Sequence, residues 1–234
     1  RIMARMPASF LPSDAADEPP VVLHVRTRRI EEAVDLLGHV PAAVSGAWLR
    51  HGQGMVALGT AWSVQSGGPH RFAAAGSAFR ALAARARVDD EVRVRTSGLI
   101  ALGSFSYADG SPRPSTLMVP RALLGVHDGE SFLTVVGVDE EPELPTSWRD
   151  LFPSSPVPAG VSEPLDVEAA HTPDEYQALV TAAVEEIRAG HAEKIVLSER
   201  TTVRTPAPLS PAVLLTRLAR AYPSTWVYLL EDVV

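Results

Sequence analysis

Of the 21 lysine and arginine residues in the chain, one alone is a lysine, Lys194. Arginine keeps its proton in a protein, whereas a lysine can release it where the surroundings disfavour charge. The stretch around it reads Gly190-His191-Ala192-Glu193-Lys194-Ile195-Val196-Leu197-Ser198-Glu199-Arg200. This pattern predicts a helix ending at Gly190 and an apolar strand with Lys194 at its mouth. A lysine used as a general base must be neutral for part of its cycle, with a pKa near the working pH. A free lysine has a pKa of about 10.4, and neutrality at pH 7 takes about 4 kcal/mol of differential stabilisation, within reach of burial or a nearby cation. In a strand, Glu193 and Glu199 alternate away from the lysine's side. The competing reading is an ordinary surface lysine at a strand end.

The other constellations offer less chemistry. The seven histidines show no HxxxH pair, which argues against a zinc site. With no cysteine there is no disulfide, thiolate ligand or thiol nucleophile. Ser198 has no G-x-S-x-G frame around it. Gly52-Gln53-Gly54 resembles half of a dinucleotide fingerprint, but the residues after it read as a strand where that motif needs a helix. Asp89-Asp90-Glu91 and Asp139-Glu140-Glu141 read as solvated loops, and Arg71, Arg80, Arg85 and Arg87 as a solvated helix face.

The elements that must carry Lys194 are written clearly. Thr172, Pro173 and Glu175 form a capping-box start, followed by Tyr176, Leu179, Val180, Ala183, Val184 and Ile187 at helical spacing. A second helix opens at Ser210-Pro211 with Val213, Leu214, Leu218 and Ala221 expected inward, and Trp226–Leu230 reads as a strand. Upstream, residues 21–25 read as a strand and residues 27–38 as a helix, with Ile30, Ala33, Val34 and Leu37 on one face. Hairpins are predicted around Gly52-Gln53-Gly54 and Asp128-Gly129, and a helix through Phe72, Ala75, Phe79 and Leu82. Residues 98–105 read as a central strand, and Leu117–Pro120 as another. The expected class is α+β, antiparallel sheets with outer helices.

Composition bounds the rest. A 46% hydrophobic, 21% charged chain suits one or two globular domains. The net charge of -7 argues against a nucleic-acid partner. No apolar run approaches the roughly 20 residues that span a bilayer, and residues 1–20 lack the apolar core of a signal peptide. A cytoplasmic protein with no membrane partner is expected. The organisation expected is a disordered arm (1–20), a β-rich α+β region (21–138), a Pro-rich linker (139–164) and a further domain (165–234).

Glu193-Lys194-Ile195-Val196-Leu197-Ser198 resembles the Lys-x-Val-Leu-Ser stretch of isochorismate synthases, within the chorismate-utilising enzymes. A second block, Gly103-Ser104-Phe105, Pro112-Arg113-Pro114 and Ser115-Thr116-Leu117-Met118-Val119-Pro120, is similar to the same family and falls in the same order. The resemblance implies the anthranilate synthase component I-like fold and a small-molecule substrate, chorismate. Water would add at C2 as the C4 hydroxyl leaves, with Lys194 as the base; related anthranilate synthases carry glutamine there. The family usually has arginine directly after the serine, whereas here Glu199 intervenes before Arg200.

The resemblance also implies a Mg2+ cofactor, with its glutamate ligands, the acid and the carboxylate-holding arginine beyond residue 234. On that expectation residues 165–234 begin an incomplete catalytic domain, and the chain is a truncated, monomeric fragment, inactive by itself. The product would feed menaquinone or siderophore biosynthesis. Two alternatives stay open: a salicylate synthase, which keeps the lysine and then eliminates pyruvate, and a non-catalytic fragment or binding module.

Overall fold

The computed structural model describes residues 20–154, 166–206 and 208–231. Nearly all of the expected arm 1–20 and residues 155–164 of the expected linker lie outside them. Strand β1 (Leu23–Ile30) is followed by the hairpin β2 (Val44–Arg50) and β3 (Gln53–Leu58), then β4 (Trp62–Ser66), helix α1 (Arg71–Ala83) and β5 (Arg87–Asp90). Next come β6 (Leu102–Ser104), β7 (Ser115–Val119), β8 (Ala122–His127) and β9 (Glu130–Val138). The second half holds β10 (Asp166–Ala169), α2 (Pro173–Arg188), β11 (Thr201–Arg204), α3 (Pro211–Ala221) and β12 (Val227–Leu230).

The largest sheet has the order β12-β2-β3-β8-β9-β1-β5 and is antiparallel except for β1 with β5. A three-stranded sheet β4-β7-β6 and a β10-β11 pair complete the set. Antiparallel sheets with three helices make the class α+β, as expected. No helix among the described residues is long and apolar enough to cross a membrane.

Both hairpins of the main sheet close through two residues at positive φ, His51-Gly52 at 53° and 72° and Asp128-Gly129 at 51° and 84°. That is the backbone a two-residue type I′ turn needs to match strand twist. Gly54 therefore belongs to β3 rather than to a phosphate loop. A Cβ on Gly54 would sit 1.8 Å from the Trp48 carbonyl oxygen, so only glycine fits that approach.

The predicted helix over 27–38 does not form. Strand β1 continues to Ile30, with Leu23, Val25 and Thr27 buried between half-buried or exposed neighbours. The Thr27 hydroxyl lies 2.8 Å from that of Thr134 on β9 and accepts the Gly98 N–H at 3.2 Å. Full-length pairing with β9 satisfies eight backbone positions, which a helix of mixed pattern could not match. Only a short 3-10 turn, Leu36–His39, remains, capped by Asp35.

Residues 98–105 also differ from expectation. Only Leu102–Ser104 is strand, and it is an edge strand of the small sheet. Within the stretch expected as a linker, Trp148 and Phe152 insert into the main core beside Leu36, Leu124 and Leu215. Proline spacing there sets extended backbone but does not stop an aromatic side chain from being buried.

Helix α3 forms where predicted, yet its face is turned. Ala212, Leu215, Thr216 and Ala219 are buried, while Leu214 and Leu218 are exposed. The helix is apolar on two sides, so its sequence alone does not say which side meets β2 and β12.

Candidate active site

Helix α2 is specified locally. The Thr172 hydroxyl accepts from Glu175 N–H at 3.3 Å, and the Glu175 carboxylate accepts from Thr172 N–H at 2.8 Å. Asp174 and Glu175 sit in the first turn and Arg188 in the last, each matching the helix dipole. Gly190, at φ 78°, ends it as predicted. No residue of α2 is buried, and Leu179, Val180, Val184 and Ile187 are exposed.

From Gly190 the chain doubles back. His191 N–H donates to Glu186 O at 3.0 Å, and its Nδ1 lies 2.8 Å from Glu186 Oε2. Residues 194–200 then run without secondary structure. The apolar strand predicted to start at Lys194 is absent, because no strand among the described residues lies beside it to complete a ladder. Strand structure begins at Thr201, where Ala169 offers a partner.

Alternation survives without the strand. Ile195 and Leu197 are half-buried, whereas Lys194, Val196 and Ser198 are exposed. Lys194 has no hydrogen bond or ion pair among the described residues. Neither Glu193 nor Glu199 pairs with it. Glu199 instead accepts from the N–H of His171 at 3.0 Å through one oxygen, and meets the His171 Nδ1 at 2.8 Å through the other. The His171 ring holds the Glu199 carboxyl below the ordinary carboxylate range. Arg200 is tied by its backbone, its carbonyl accepting from Ala170 N–H at 2.9 Å.

The second block quoted from the sequence is brought together by β-pairing. Gly103 sits opposite Leu117 and Ser104 opposite Thr116. A Cβ on Gly103 would lie 2.9 Å from Leu117 and 3.2 Å from the Thr116 carbonyl, so the glycine permits this close pairing. The buried Ser115 hydroxyl accepts from Ser106 N–H at 3.0 Å. Arg71, expected in solvent, is buried instead. Its guanidinium donates to the carbonyls of Ser106 (2.8 Å), Tyr107 (2.7 Å) and Gly68 (2.9 Å) and to Asp109. It fixes the loop after β6, a role without a local signature in the sequence.

A cleft of about 620 Å³ opens beside β2 and β3, walled by Trp48 and Trp226 with Arg50, Arg95 and His127 on its rim. Arg50 donates to Ser224 O at 2.9 Å and lies 5.4 Å from the Trp226 ring centre. Trp48 stacks on Tyr228 at 5.0 Å across β2 and β12. This aromatic wall joins residues far apart in the chain, and only strand pairing makes it visible. Lys194 does not line this cleft.

No cluster of three or more metal-ligating side chains occurs among the described residues. The glutamate ligands that the resemblance implies are expected beyond residue 234, so the described residues do not bear on the magnesium site.

A family model described as "Chorismate binding enzyme" matches residues 48–233, from β2 through β12. No curated protein matches the chain significantly. The match spans well over half of the 234 residues and includes both the Lys194 segment and the β6–β7 block. The chain belongs to the chorismate-binding enzyme family.

Proposed function

We propose that the protein acts as an isochorismate synthase, converting chorismate to isochorismate with Lys194 as the base that activates water. Family membership supplies the substrate class. The observation that carries the finer reading is Lys194 itself, the single lysine, at the water-activating position of the family stretch and clear of every described carboxylate. A lysine locked in an ion pair could not serve as a base at neutral pH.

In this reading the amine takes a proton from water as the oxygen attacks C2, and the C4 hydroxyl departs with a proton from an acid elsewhere. The neutral amine requires desolvation or a neighbouring cation. The described residues leave Lys194 exposed. The reading therefore requires that Lys194 become covered in the working enzyme. The magnesium that the resemblance implies would draw its ligands from outside the described residues. The fold proposed is that of the chorismate-utilising enzymes, working as a cytoplasmic monomer.

The test incubates full-length protein with chorismate and magnesium and identifies the product. Isochorismate is expected, salicylate would move the assignment to the neighbouring reaction, and no consumption would overturn it. Lys194→Ala should lower kcat by about 10² to 10⁴, the usual contribution of general acid–base catalysis. Intact turnover in that variant would remove the mechanism.

A further inference from the structure

We infer that Glu199 is a positioning residue: with His171 it forms a clasp that holds the Lys194 segment stretched along α2. The inference rests on the reading of Lys194 as the base. It begins with the two ends of the segment, both tied to the same helix. At its start, His191 is fixed to Glu186 through its backbone N–H and its ring. At its finish, Glu199 takes the backbone N–H and the ring of His171, one residue before the helix cap, beside the Arg200 carbonyl held by Ala170 N–H and the β10–β11 ladder that opens at Thr201. Glu175, a neighbouring carboxylate, is occupied by the N–H and hydroxyl of Thr172. Glu199 is thus the carboxylate left to hold His171.

The distances leave little slack. A 16-residue helix is about 24 Å long. The chain from His191 to Glu199 makes eight steps, about 26–29 Å when fully extended. A segment anchored at both ends over such a span must be almost straight. Straight backbone sends successive side chains to opposite sides. The observed alternation follows, with Ile195 and Leu197 half-buried and Lys194 turned out. The clasp carries the hold of the β10–β11 pairing back to Glu199, toward Lys194. It also gives a physical role to Glu199, the residue that departs from the family stretch.

Lys194 provides its own probe. A lysine-specific endoprotease can cut this chain only after Lys194, and proteolysis of native protein follows local opening. Glu199→Ala and His171→Ala should each speed that cleavage at least about fivefold, with the double variant no faster than either single one, as coupled partners require. His171→Asn, which restores a side-chain N–H near the Nδ1 position, should return cleavage to within about twofold of wild type. Near-ultraviolet circular dichroism of the tryptophans serves as a check that the large sheet is intact in each variant. In full-length enzyme, Glu199→Ala should lower kcat about 10- to 100-fold with KM for chorismate nearly unchanged, since the base and not the substrate is misplaced.

Unchanged cleavage in Glu199→Ala, or strictly multiplicative effects in the double variant, would overturn the clasp. The two readings separate cleanly. Faster cleavage in Glu199→Ala together with intact turnover in Lys194→Ala keeps the clasp and removes the base. Unchanged cleavage together with dead Lys194→Ala keeps the base and removes the clasp.

Discussion

Helices α2 and α3 begin alike and end up in opposite surroundings. Each has proline at its first position, a polar residue before it and an apolar stripe along its length. Helix α3 buries Ala212, Leu215 and Ala219 in the core that also holds Val44, Ala47 and Val227, with Thr216 buried beside them. Helix α2 buries nothing, and the β10 and β11 strands beside it in sequence are exposed throughout. Caps and periodicity therefore account for the existence of both helices but not for their burial. What α2 lacks in a hydrophobic partner it replaces with polar ties: the capping box, His191 to Glu186, and His171 to Glu199.

This contrast can be broken most directly at Leu215, which is 2% exposed. Leu215→Ala should cost about 2–5 kcal/mol in urea unfolding followed by tryptophan fluorescence, from lost burial and the cavity left behind. A cost near zero would mean that α3 is not packed as described. Thr172→Ala removes the cap of α2 and should cost about 1 kcal/mol, seen as faster amide exchange within α2. The main fluorescence transition should stay where it is, and a matching shift would show that the two regions unfold as one unit.

A third probe uses pH on the sheet side. The Glu32 carboxylate accepts from Arg149 and from Trp148 Nε1–H, and its pKa is lowered from 4.5 to about 2, chiefly by the Arg149 hydrogen bond. A depressed folded-state pKa adds stability above the unfolded value, and that stability is lost as pH falls through the folded one. The melting-temperature gap between wild type and Glu32→Gln should be full above pH 4.5, shrink below it and vanish near pH 2. A gap independent of pH would remove this pair from the sheet's stability. The smallest effect is expected at Leu179, where alanine should change stability by less than about 0.5 kcal/mol. A cost like that at Leu215 would show that the outer face of α2 is covered in solution.

Much of the local structure was legible in the residues. The α2 boundaries, the Gly190 stop and the Asp128-Gly129 turn depend on neighbours within four positions, whereas the expected α1 face of Phe72, Ala75, Phe79 and Leu82 holds only in part, with Ala75 and Leu82 buried and Phe72 exposed. The candidate base was also legible, since a single lysine in a family stretch requires no folding to be noticed. Three expectations gave way because they depended on partners far away in the chain. Residues 27–30 joined β9, over a hundred positions downstream, instead of continuing as a helix. Arg71 was drawn from solvent by carbonyls of the Ser106–Tyr107 loop. The Lys194 segment, with no strand to pair with, did not become a strand.

The sequence by itself determined where α2 starts and stops, which turns close the hairpins and which position holds the single lysine, because capping, positive φ and residue identity are properties of a few consecutive residues. Only the tertiary structure decided which face of α3 is buried, that Trp48, Trp226 and Tyr228 form one wall, and that Glu199 closes on His171. Those outcomes depend on which distant backbone groups and apolar surfaces find each other, and hydrophobic burial and strand pairing carry no address in the local sequence.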